Sequence, residues 1–191
     1  MSWVAYVDES MRQRPDAAGL YVLAAAVFDP VDADELREAM TTLAGRHRRF
    51  HWRDVPHGER GKAVTAVATL DALHVVVVGV GLDNPRQERG RRQCMTRLLW
   101  ELDQSGVTHV WLDARRPIQN AEDQALLSAL RARHFLGSEL RVGFQYSIQE
   151  PLMWLPDIVA GAASAAYGDD NVGYLEQLRP VLTAPIMIEL D

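Results

Sequence analysis

The chain has 191 residues, 48% of them apolar, which suits one domain with a core large enough to need no disulfide staples. Its single cysteine, Cys94, excludes an intramolecular disulfide and fits a reducing compartment. A formal net charge of −6 argues against tight non-specific binding to duplex nucleic acid, which depends on Lys and Arg at the phosphates.

Trp3 to Val7 is short and apolar and predicts a buried strand ending at Asp8-Glu9-Ser10. Met11 to Gly19 is polar, with Pro15, and predicts a loop or hairpin connection. Leu20 to Phe28 is nearly continuously apolar, as a central strand is, and is expected to pair antiparallel with the first. Val31 to Arg48 carries Leu36, Met40 and Leu43 at helical spacing. Phe50 to Arg53 reads as a short strand or ordered loop, and 58–72 as a second helix. Then follow a β-branched strand over 74–80, a helix over 86–104, a strand over 107–112 ending at Asp113, and a helix over 120–135. A strand over 141–148 precedes a helix over 156–167, with Pro156 suited to its first turn. The tail from Asn171 offers a short helix and a terminal strand at 186–190. Two strands followed by alternating helices and strands predict an α/β fold, a mixed sheet with helices on its faces.

No basic n-region precedes the first charges, so no secretory signal is expected, and Asp157 interrupts an apolar run too short for the roughly 20 residues of a membrane span. The chain is expected to be cytoplasmic, with no membrane partner. All but one of its basic residues are arginines, Lys62 being the sole lysine. Arg46, Arg48, Arg49 and Arg53 cluster, as do Arg86, Arg89, Arg91, Arg92 and Arg97, a distribution that fits either a basic patch on an acidic protein or solvated helix faces.

Three acids share a placement. Asp8 and Asp113 follow strands, and Asp157 lies in the first turn of the helix after the last main strand. Ligands of open α/β sheets collect beyond the carboxyl ends of strands. Carboxylates gathered there repel one another, and a hard divalent cation relieves the repulsion; Mg²⁺ takes one or two carboxylates plus waters and phosphate oxygens. Two such ions about 3.5–4 Å apart can activate water and steady the leaving oxygen of a phosphodiester. Each acid also has a purely structural reading, in a turn, a loop cap or a helix N-terminus. The segment from His47 to His57 holds three histidines with Trp52, Arg53 and Asp54. His51 could donate to a phosphate or leaving group, and Ser10, Arg53 and Lys62 are candidate substrate contacts. The spacing matches no structural zinc site. Cys94 reads as a buried thiol rather than a nucleophile. Gly79-Val80-Gly81 lacks the third glycine and the helix start of a dinucleotide fingerprint, since Asp83, Asn84 and Pro85 follow it, and no phosphate-binding Walker motif is present.

Tyr6-Val7-Asp8-Glu9-Ser10, followed by the strand Tyr21 to Val27, resembles the domain of unknown function 3800 family, whose members typically open with Asp-Glu-Ser-Gly after an apolar strand. Val110-Trp111-Leu112-Asp113 resembles that family's strand-ending aspartate, and 155–162 its Ala-Asp-Leu-Ile-Ala-Gly helix. Met11 stands where the family's glycine is usual and Pro156 where its alanine is; neither departure removes a carboxylate. The resemblance spans Ser2 to about Tyr167. It implies a ribonuclease H-like fold over 1–170, with 171–191 an extension packed on that domain or on a partner. It also implies Asp8, Asp113 and Asp157 as ligands of Mg²⁺ or Mn²⁺, with Glu9 a possible fourth. The function so implied is a metal-dependent nuclease acting on nucleic acid. The alternatives are a non-catalytic binding module of the same fold in a defence or mobile-element system, and a homo-oligomer joined through a strand at 181–190.

Overall fold

A computed structural model describes residues 2–13, 18–45, 47–82, 86–169 and 171–190. Pro15, Arg46, Asp83, Asn84 and Pro85, which figure in the sequence reading, lie outside the described residues.

The centre of the molecule is a six-stranded mixed sheet in the order β5-β4-β1-β2-β3-β6. Strands β1 (Trp3–Arg12), β2 (Gly19–Phe28) and β3 (Leu73–Leu82) form an antiparallel meander. Strand β4 (Val107–Asp113) lies parallel to β1, and β5 (Arg141–Gln145) parallel to β4. The tail strand β6 (Ile186–Glu189) pairs parallel with Val77–Val80 of the same chain's β3. Strand β2 is buried along its whole length, as its unbroken apolar run predicts.

Strand alternation divides the core in two. On one face, Val4, Tyr6, Val22, Ala24 and Val76 meet helices α1 (Ala33–Ala44), α2 (His57–Val67) and α5 (Trp154–Asp169). On the other, Ala5, Val7, Leu23 and Val77 meet α3 (Gln87–Gln104) and α4 (Pro117–Ala132). A short helix, α6 (Gly173–Gln177), packs on α5 and α2. Helix α5 is buried all round, from Leu155 through Ala166, and its Ala160 to Ala166 run lets the sheet approach closely.

Several boundaries differ from the sequence expectation. The first strand does not end at Val7: it continues to Arg12, because Leu20 to Leu23 supply antiparallel partners for Glu9 to Arg12 despite the polar side chains of Glu9, Ser10 and Arg12. The first long helix stops at Ala44 rather than Arg48, since Gly45 takes a positive φ of 57° at its C-terminal cap. Of the two readings of Phe50 to Arg53, a short strand or an ordered loop, the structure has the loop, with a turn over Trp52 to Asp54. The strand at 186–190 completes its own sheet rather than a neighbour's. At Gly79 a Cβ would stand 2.7 Å from Cys94 Sγ and 2.8 Å from Leu190, so close packing accounts for that glycine. Among the described residues no helix is long and apolar enough to cross a membrane.

Candidate metal and phosphate site

The register explains how two distant aspartates meet. Val7↔Leu112 is the last parallel pair between β1 and β4, and Tyr6↔Trp111 directly before it faces the α5 side. One step further, Asp8 and Asp113 therefore stand side by side on that same face. Helix α5 crosses this face with its N-terminus at the site, and Asp157 in its first turn is buried there, its charge acting on both. Asp8, Asp113 and Asp157 all line one cavity of about 200 Å³, as do Glu9, Ser10, His51 and Arg53. Lys62 is exposed on α2 and is not among the cavity's residues.

Each acid has a distinct set of partners. The Trp52 backbone N–H donates to Asp157 Oδ2 at 2.8 Å, and His51 Nδ1 lies 3.4 Å from Asp157 Oδ1. The Ser147 N–H donates to Asp113 Oδ1 at 3.1 Å. Ser147 is itself anchored, its carbonyl accepting from the Trp154 indole at 2.7 Å, so the turn before α5 fixes Asp113. Asp8 Oδ1 accepts only the next residue's N–H, at 2.7 Å, among the hydrogen bonds of the described residues.

The electrostatics follow from this crowding. Loss of hydration at the cavity floor, then the charges of Asp157 and Asp113, push the Asp8 carboxyl well above its ordinary value, against the pull of Arg91 and Arg49. Desolvation also raises Asp113, opposed by the Ser147 hydrogen bonds and by Arg49. His51 is raised chiefly by its bond to Asp157, so its charged form is favoured.

Glu9 is different. Strand alternation turns its carboxylate to the opposite face of the sheet, where it accepts from Tyr21 Oη and pairs with Arg91. There it joins a buried ionic network: Arg91 makes a bidentate contact with Asp123 at 2.9 and 3.2 Å, and Arg115 bridges Asp123 and Glu88. The Glu9 carboxylate is thus committed to structure on the far face while Asp8 looks into the cavity.

Sequence reasoning gave three participants no role at the site, although Arg49 stood in its arginine cluster and Trp52 in its histidine-bearing segment. Arg49 lines the cavity, donates to Ser147 Oγ at 3.3 Å and lowers both Asp8 and Asp113. Trp52 is fixed by packing: its ring lies flat on Gly161 of α5, stacks edge-on with Tyr174 at 5.3 Å, and carries Arg60 over its face at 5.1 Å. Ser147 holds Asp113. The only sequence signals were an apolar Phe-x-Trp pair inside a basic stretch and a glycine in an alanine-rich helix.

Among the described residues, no three acid, histidine or cysteine side chains are already drawn into a cation cage. The donor chemistry nevertheless fits a hard divalent ion: carboxylate oxygens dominate, they are mutually repulsive, and the cavity has room for the waters and phosphate oxygens that complete a Mg²⁺ or Mn²⁺ shell.

No family model and no curated protein matches this sequence. Solved structures do match it. Ribonuclease H2 from Pyrococcus horikoshii OT3 aligns with 93% of the chain and 77% of its own length, at 18% identity and a TM-score of 0.51. Bst ribonuclease HIII in complex with Mn²⁺ aligns with 93% of the chain at 16% identity and a TM-score of 0.54, and the chain spans only 53% of that protein. The ribonuclease HII of Archaeoglobus fulgidus, solved bound to PCNA, gives 14% identity, 93% and 78% coverage, and a TM-score of 0.51. The mixed sheet and its flanking helices are ribonuclease H-like in fold.

Proposed function

We propose that this chain is a divalent-metal-dependent nuclease that hydrolyses phosphodiester bonds, with Asp8, Asp113 and Asp157 holding Mg²⁺ or Mn²⁺. The observation that carries the reading is the convergence of three carboxylates, from β1, β4 and α5, on one cavity, where burial and the charges of Asp157 and Asp113 raise the proton affinity of Asp8. The Mn²⁺ complex of the ribonuclease HIII with this fold supports the choice of ion. The motifs around Asp8, Asp113 and Asp157 support membership of the domain of unknown function 3800 family, and the lone buried cysteine supports a cytoplasmic setting.

When bound, the ion supplies Lewis acidity, making a water nucleophilic near neutral pH and offsetting charge on the phosphate. The chain's own residues do the rest. Arg49 offers a guanidinium to the non-bridging phosphate oxygens. His51, with Nδ1 engaged by Asp157 and its charged form favoured, offers Nε2 to protonate the departing alkoxide oxygen as the P–O bond breaks. Ser147 and the Trp52 N–H hold Asp113 and Asp157 in place. Ser10 lines the cavity on the same face of β1 as Asp8 and contacts substrate there.

The test is a calorimetric Mn²⁺ titration of the wild type and of Asp113→Asn, alongside cleavage of labelled RNA and DNA strands. Saturable binding and cleavage are expected in the wild type and neither in the variant, with far-ultraviolet circular dichroism unchanged. A wild type that neither takes up Mn²⁺ nor cleaves either strand would overturn the proposal.

A further inference from the structure

A second concavity, of about 380 Å³, adjoins the acidic one and shares Ser10, Trp52 and Arg53 with it. Its character is the reverse. Arg12, Arg53 and Arg60 contribute three guanidinium groups, and no acid is among its described lining residues. Arg12 is paired with Asp169, but among the described residues neither Arg53 nor Arg60 has a carboxylate partner.

Their side chains are instead fixed by backbone carbonyls. Arg53 Nη2 donates to Met11 O at 3.2 Å, and Arg60 Nε donates to Trp52 O at 3.0 Å while its guanidinium rests over the Trp52 ring. A carbonyl uses one donor and sets the direction of the fork without cancelling the charge, so each arginine keeps N–H groups and its positive charge for a ligand. The cation–π contact further restrains Arg60. Such a preorganised, uncompensated cationic surface on a protein of net charge −6 calls for a specific anionic occupant.

We infer that Arg53 and Arg60 form a phosphate-binding trough that takes the polynucleotide backbone beside the bond lying in the acidic cavity. This rests on the reading of that cavity as a nuclease centre. Continuity through Ser10, Trp52 and Arg53 gives the strand a direction, from the three carboxylates across Trp52 to Arg60. Contact with backbone phosphates alone reads no sequence, so the trough positions a strand irrespective of its bases.

The probe is a short fluorescein-labelled oligonucleotide, as RNA and as DNA, followed by fluorescence anisotropy in EDTA so that no cleavage intervenes. Arg53→Glu and Arg60→Gln are each expected to weaken binding several-fold. Each should also flatten the plot of log affinity against log salt by about 0.7 for a single strand, the value of one lost phosphate contact. Arg97→Glu, on α3 behind the opposite face, is the control for overall charge, and it should bind as the wild type does. Arg60→Lys, which keeps the charge, should retain the salt slope. Unchanged affinity and slope in Arg53→Glu and Arg60→Gln, an equal loss in Arg97→Glu, or no binding by the wild type would each overturn the trough. The two readings separate cleanly. Metal-dependent cleavage with intact strand binding in the trough variants refutes the trough alone, whereas loss of binding in those variants of a protein that never cleaves refutes the nuclease alone.

Discussion

Replacing Gly161 by alanine sets two effects against each other. In the middle of a helix, alanine is favoured over glycine by about 1 kcal/mol. At this position, however, the added Cβ would stand 2.3 Å from both Cγ and Cδ2 of Trp52 and 2.5 Å from Cδ1. Carbon atoms pack at about 3.5–4.0 Å, so the ring must retreat by more than about 1 Å. Trp52 cannot retreat freely, because Tyr174 and Arg60 hold its other sides. Crowding of this kind costs about 2 kcal/mol. The displaced backbone would also release its 2.8 Å hydrogen bond to Asp157, worth about another 2 kcal/mol because the acceptor is a carboxylate. Against the propensity gain, the net destabilisation is about 3 kcal/mol. Urea denaturation measures it, with Gly58→Ala as a control, since nothing lies within 4 Å of a Cβ there. The same loosening should weaken Mn²⁺ binding, as Asp157 loses its anchor. A Gly161→Ala protein as stable as the wild type, with an identical Mn²⁺ titration, would refute the claim that this glycine exists to seat Trp52 over the site.

Two further outcomes follow from buried charge. His74 is fully buried, neither ring nitrogen has a well-formed partner, and burial pulls its pKa from 6.5 down to about 4, offset only by a weak backbone contact with Ala25. The folded state therefore prefers neutral imidazole, and stability present above pH 6.5 should fall by about 3 kcal/mol as the pH drops to about 4. Asp8 and Asp113, raised in the fold, act in the opposite sense, so the readout is the difference in urea-unfolding free energy between wild type and His74→Leu across that window; a constant difference would contradict the assignment. In the network beneath the site, Arg91→Leu leaves the nearly inaccessible Asp123 with Arg115 as its remaining ionic partner and removes the cation paired with Glu9, and should cost about 3 kcal/mol. Adding Asp123→Leu should restore part of that loss, and strictly additive effects in the double-mutant cycle would refute the coupling.

Much of this was legible from residue order. The antiparallel opening, the alternation of helices and strands and the placement of Asp8, Asp113 and Asp157 all follow from apolar runs interrupted by acids. What stayed hidden depends on partners distant in sequence. Asp8 to Arg12 look like the start of a loop, yet they remain a strand because Leu20 to Ala24 offer backbone partners across the hairpin. Arg49 and Ser147 meet only when the turn before α5 folds back on Asp113. The different uses of Asp8 and Glu9 follow from a period of two, but what waits behind Glu9 does not, since Arg91 and Asp123 come from two helices on the far face.

The position of β6 bears on how this protein behaves in a crowded solution. Without the tail, the margin of the sheet would be Leu73–Leu82, ten residues dominated by valine and glycine with unspent backbone donors and acceptors. Such a margin is a template for any extended chain that drifts past. By laying Ile186–Glu189 along it, the chain exchanges a long apolar border for a four-residue one ending in an acid, and the opposite border, Arg141–Gln145, is only five residues long and begins with a cation. Ile186–Glu189 thus act as a hem that keeps the sheet finite.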